Sequence, residues 1–184
     1  MPANKAAKKA AAKHADPKHH QAKDLRRAYE HLGRVEILQH SLGATSAKEI
    51  HTLVTLAEKE LGKGHRKDAA DLLRAAEHFS FAALAAEATY GNVSDELKGI
   101  VAEEVERLTE RANEHWGESD REEHHASIAP LFHTSLEAAE KALEVGSYRQ
   151  ALELARGSET LAHVKKHGPE QLGAATSDPR LSKA

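Results

Sequence analysis

Residues 27–33 read Arg27-Ala28-Tyr29-Glu30-His31-Leu32-Gly33, and 84 residues later the chain reads Arg111-Ala112-Asn113-Glu114-His115-Trp116-Gly117. A second set of matches follows in the same order. His51-Thr52 with Ala57-Glu58-Lys59 returns 82 residues later as His133-Thr134 with Ala139-Glu140-Lys141, while Gly64 and Ala69 map onto Gly146 and Ala151. Isolated coincidences are common in a chain rich in Ala and Glu, but ordered matches at nearly one offset point to a duplicated unit. The step from 84 to 82 places a deletion in the second copy between its first and second helices, where a loop tolerates it.

Each copy carries three apolar stripes of helical period. Asp16 and Pro17 offer an N-cap and a first-turn proline, Leu25, Tyr29 and Leu32 follow at helical spacing, and the first helix extends to about Gln39. Ser46 and Glu49 have the spacing of a capping box before Ile50, Leu53, Ala57 and Leu61, and this second helix stops at Gly62-Lys63-Gly64. From His65 to about Thr89 the apolar arc is wide (Ala69, Leu72, Leu73, Ala76, Phe79, Leu84), which predicts a helix packed on more than one side. Val101, Val105, Leu108 and Ala112 mark a fourth helix, from beyond Ser94 to near Gly117. A fifth carries Leu131, Phe132, Leu136, Ala139 and Leu143, and Ser147 caps a sixth with Ala151, Leu154, Leu161 and Val164. The expected fold is all-α: a duplicated three-helix unit forming a six-helix bundle or short helical-repeat array with disordered ends. In domain terms, a single domain at 17–167 comprises units 17–91 and 92–167, between a basic disordered arm (1–16) and a disordered tail (168–184).

Composition agrees. Of 184 residues, 30% are charged and 4% aromatic, and much of the 40% apolar fraction is alanine, so burial falls to Leu and Ala on helices. The absence of cysteine excludes disulfides, thiolate zinc sites, iron–sulfur clusters and a cysteine nucleophile. No long apolar run provides a membrane span or secretory signal, so a cytoplasmic protein is expected. Residues 1–27 carry eight Lys/Arg against two Asp, whereas 93–144 carry fourteen Asp/Glu against five Lys/Arg. One end is basic and the later half acidic.

The repeated segment also supplies the candidate interaction face: Arg27, Glu30 and His31, then Arg74, Glu77 and His78, then Arg111, Glu114 and His115. Arg, Glu and His at i, i+3 and i+4 share one side of a helix, opposite the leucine stripe. They read either as a solvated strip of Arg–Glu pairs or as a partner surface, and a symmetry axis bringing His31 and His115 together would concentrate them at one seam. Arg156-Gly157-Ser158-Glu159-Thr160-Leu161 is a degraded instance without the histidine. The chain has fourteen histidines, yet the pairs His19-His20 and His124-His125 diverge on a helix. Glu122 and His125 have the Glu-x-x-His spacing of dinuclear carboxylate sites, but Leu38 to Ser41 supplies no second copy. No catalytic residue, cofactor or metal ligand set is assigned.

Three resemblances add to this reading. The stretch Ala138 to Leu154, with Gly146, Tyr148 and Ala151, is similar to the Gly-x-Tyr-x-x-Ala hinge of tetratricopeptide hairpins, and Gly64 to Ala69 is a poorer version. That likeness implies a packing unit used for protein contacts, although the hairpins are separated by an extra helix and no proline closes either. Arg156 and His163, with six residues between them, resemble the Arg-x4–6-His pattern of HEPN ribonucleases, which implies a polar pair at a dimer seam; Phe81 stands at the position of His163 in the first copy. The Lys/Ala-rich arm, with Lys5, Lys8, Lys9, Lys13 and Lys18, is similar to linker-histone-like tails and implies sequence-blind phosphate binding. A solubilising leader is the alternative. The function expected is a non-enzymatic interaction or scaffold protein with a protein partner; the other readings are a nucleic-acid-associated protein acting through its arm and a HEPN-like nuclease.

Overall fold

Two glycines turn the chain back on itself in the same way. Gly64 (φ +85°) and Gly146 (φ +76°) adopt the left-handed conformation that a Cβ disfavours, and each follows a helix that ends in a Schellman motif. At the first turn the amides of His65 and Gly64 donate to the carbonyls of Glu60 (2.9 Å) and Leu61 (3.0 Å); at the second, Ser147 and Gly146 donate to Ala142 (2.7 Å) and Leu143 (3.0 Å). The two sets differ by 82 at every position, so the sequence offset is also a structural one.

The computed structural model describes residues 17–88, 94–118 and 127–165. Among these, all regular structure is α-helical and no strand occurs: α1 Pro17–Gln39, α2 Ala44–Gly62, α3 Arg66–Glu87, α4 Asp95–Glu118, α5 Ala129–Glu144 and α6 Tyr148–Ala162. No described helix is long and apolar enough to cross a membrane. The helices pack as a bundle. α3 and α6 lie in the middle against each other, α1 and α2 pack on α3, and α4 and α5 pack on α6, with little contact between α4 and α5. Being covered from three sides explains the wide apolar arc of α3, whose buried positions run from Asp68 to Ala85.

The central crossing depends on small side chains. An added Cβ on Gly157 would lie 2.3 Å from Cε1 of Phe79, so α6 approaches α3 with the Phe79 ring seated directly over its backbone. Nearby, Ser135 and Ser158 share a 2.6 Å hydrogen bond between α5 and α6, and the Ser158 hydroxyl also donates to the Leu154 carbonyl (2.8 Å). Phe132, Leu72, Leu73 and Leu161 fill the main core, and Trp116 stacks on Phe132 at 4.1 Å, tying the end of α4 to α5. Val105, Leu108, Ala139, Ala151 and Ala155 form a smaller cluster within the second half.

Two local expectations are corrected. α2 begins at Ala44 with Gly43 as its N-cap, so Ser46 sits inside the first turn and no side chain caps the helix. The extended backbone of Gly43 (φ −63°, ψ 156°) leaves its carbonyl to accept from the Ala47 amide (3.0 Å), which opens the helix without a capping box. Ser147 occupies the N-cap of α6, but its side chain makes no capping bond.

Candidate functional site: interhelical His–Glu bridges and a three-ligand cluster

The Arg-x-x-Glu-His segments do not form one solvated strip. Of the expected face, His31, Glu77 and His78 point across helix seams, where ionised and imidazole groups satisfy each other away from water, whereas Glu30 and Glu114 stay exposed. His31 Nδ1 on α1 donates to Glu77 Oε2 on α3 at 2.6 Å; the two side chains keep 14% and 13% of their exposure, and Arg34 reaches the other Glu77 oxygen at 3.2 Å. His78 Nδ1 on α3 donates to Glu153 Oε2 on α6 at 2.8 Å, across the centre of the bundle. Burial pushes the Glu153 carboxyl up, but the hydrogen bond and charge of His78, aided by Arg156 and Arg149, outweigh it and hold the group below the usual glutamate range.

The remaining predicted residues are scattered. Arg27 faces Asp24 at 3.7 Å, Glu30 is exposed and pairs with Arg26 at 2.8 Å, Arg74 is half-buried on α3, and Glu114 is exposed. Arg111 donates to Glu159 Oε1 at 2.8 Å. Lys5, Lys8, Lys9 and Lys13 lie outside the described residues, as do Glu122 and His125, while Lys18 falls within the first turn of α1. Arg156 meets Glu153 at 3.3 Å, one helical turn back along α6.

The second half adds a group that the repeat did not reveal. His115 corresponds to His31 and Glu159 to Glu77, so the α4–α6 seam repeats the α1–α3 seam. His163, four residues after Glu159 at the C-cap of α6, joins them: its Nε2 is 3.5 Å from Glu159 Oε1, and the His115 and His163 rings lie 4.4 Å apart at 49°. Two imidazoles and a carboxylate thereby present ligand atoms all within 4.8 Å of one another, half-buried at the C-terminal ends of α4 and α6. The Glu-x-x-x-His spacing of 159 and 163 was visible in the chain. Its convergence with His115 depends on which helix packs beside α6.

A second polar group also escaped the sequence reading. Glu60 is fully buried at the α2–α3 turn, with His65 Nδ1 at 2.6 Å and Lys63 Nζ at 2.7 Å. It links the two positions whose apolar contact usually closes a Schellman motif. At the second turn Ala142, Val145 and Ser147 take the corresponding places, so that turn lacks the polar lock and exposes Val145.

Beside that turn lies a largely apolar cleft of about 340 Å³ between α4 and α6, lined by Leu97, Val101, Tyr148 and Leu152 together with Arg149, Glu153 and Arg156. Leu97, Ile100 and Val145 keep 49%, 56% and 77% of their exposure. No known protein family, curated protein or solved structure matches this chain.

Proposed function

We propose that this chain is a helical interaction module that docks a partner segment in the cleft between α4 and α6. The observation supporting this reading is an exposed apolar concavity: Leu97, 49% exposed, lines it with Val101, Tyr148 and Leu152, and the exposed Ile100 and Val145 adjoin the lining residues Val101 and Gly146 in the chain. Arg149 and Arg156 in the lining favour an amphipathic helix with acidic residues beside its apolar stripe, a recurring mode of peptide recognition. Glu153 in the same lining is already engaged by His78 and by the Arg156 guanidinium and offers such a partner little repulsion. As proposed, the module is a non-enzymatic scaffold acting in the cytoplasm.

Selection of helical peptides displayed on phage against the full chain tests the reading. Enriched sequences are expected to carry apolar residues at i, i+3, i+4 and i+7 with Asp or Glu beside them. They should lose about tenfold or more in affinity for Leu97→Glu and for Arg149→Glu. Peptides that bind both variants as well as the parent chain would overturn it.

A further inference from the structure

We propose that His115, Glu159 and His163 form a zinc-binding site that clips α4 to α6. Two imidazole nitrogens and one carboxylate oxygen are a ligand set zinc accepts readily, leaving its fourth position for water or a partner's ligand. The geometry is nearly assembled. Ligand atoms already within 4.8 Å of one another need to close to roughly 3.3 Å for tetrahedral bonds of about 2.0–2.1 Å, a movement within reach of side-chain rotations. Glu159 and His163 stand one turn apart on α6, so one helix fixes two ligands and α4 supplies the third.

Electrostatics favour a cation here. His163 caps α6 and His115 lies in the last turn of α4, so the final carbonyls of both helices contribute partial negative charge. Arg111 competes by holding Glu159 Oε1 at 2.8 Å, and Arg107 is attracted by the same carboxylate, but the two side chains are 43% and 51% exposed and can exchange it for water. The first half supplies an internal comparison. Its equivalent seam has His31 and Glu77, but Phe81 stands where His163 does, so that seam closes as a two-residue bridge with Arg34 as the counter-charge.

The test is a zinc titration of the full chain in competition with a chromogenic chelator. The parent chain should bind one zinc ion per chain, and His163→Phe, Glu159→Gln and His115→Asn should each weaken binding by about tenfold or more. Two controls should stay within about twofold: His31→Asn, and a variant with His19, His20, His124 and His125 all changed to Ala. Cobalt(II) in place of zinc should give ligand-field bands of tetrahedral intensity that His163→Phe abolishes. His163→Phe installs the residue found at the matching position of the first half, and far-UV circular dichroism verifies that each variant folds. If His115→Asn loses helicity, the other two substitutions decide. Zinc binding that survives His163→Phe and Glu159→Gln, binding that disappears only in the four-histidine control, or no binding tighter than that of His163→Phe would each overturn the proposal.

Discussion

Glu153 shows how one residue's surroundings decide its role. A carboxylate in the α3–α6 seam loses solvation, and the His78 hydrogen bond and charge, with Arg156 and Arg149 nearby, make ionisation favourable there. The group's folded value lies below its value in the unfolded chain, so ionisation favours the native state. Its contribution is therefore complete above the unfolded-chain value of about 4.3 and is lost as pH falls through the lower folded value. Urea unfolding should find Glu153→Gln less stable than the parent by about 1 kcal/mol at neutral pH, with the difference shrinking towards zero as the pH is lowered through 4 and below. A constant difference across that range would show that the carboxylate's charge is not what stabilises the contact. The sequence presented His78 as one member of a surface pattern. Nothing local to residues 74–79 shows that α6 brings Glu153 to meet it, because that contact spans 75 positions.

At the scale of the element, the α3–α6 crossing is controlled by one missing methyl group. In most helices Gly→Ala stabilises by roughly 0.8–1 kcal/mol through propensity. At Gly157 the new methyl would collide with the buried Phe79 ring. Overpacking of this kind costs about 1–3 kcal/mol, softened here because Phe79 borders a cavity of about 280 Å³ into which the ring can partly move. Thermal and urea unfolding should therefore show Gly157→Ala to be destabilised by about 1 kcal/mol, opposite in sign to the propensity effect. In combination with Phe79→Leu, Gly157→Ala should cost less than it does alone, giving a double-mutant coupling of at least about 0.5 kcal/mol. Helix positions and the two glycine turns were legible in the chain because apolar period and left-handed turns are local properties. The start of α2 is not legible there, because a glycine N-cap leaves no side-chain signature, while Ser46 and Glu49 happen to have capping-box spacing.

For the whole molecule, the arrangement around α3 and α6 makes each half incomplete. Residues 17–91 alone would expose the face of α3 that Gly157, Leu161 and their neighbours cover, and residues 92–167 would expose the matching face of α6. A three-helix unit of this size buries too little surface to tolerate that loss. Expressed separately, each half is expected to show reduced helicity or to self-associate. Mixing them should restore the parent's far-UV spectrum in a 1:1 complex measurable by light scattering. Two halves that are fully helical and monomeric on their own would show that the central crossing is not what makes the domain cooperative.

The sequence by itself determined that the chain is helical, where most helices begin and end, and that two segments share one register, because propensity, apolar period and glycine turns act over a few residues. Only the tertiary structure decided what the repeated Arg, Glu and His side chains do. Several find partners on other helices: Glu77 closes His31 into a seam, Glu153 engages His78, and Glu159 joins His115 and His163 in a ligand cluster that has no equivalent among the described residues of the first half. Charges that look solvated along one helix become bridges once a neighbour packs beside them, and the choice of neighbour follows from burial of the leucines and alanines rather than from the charges.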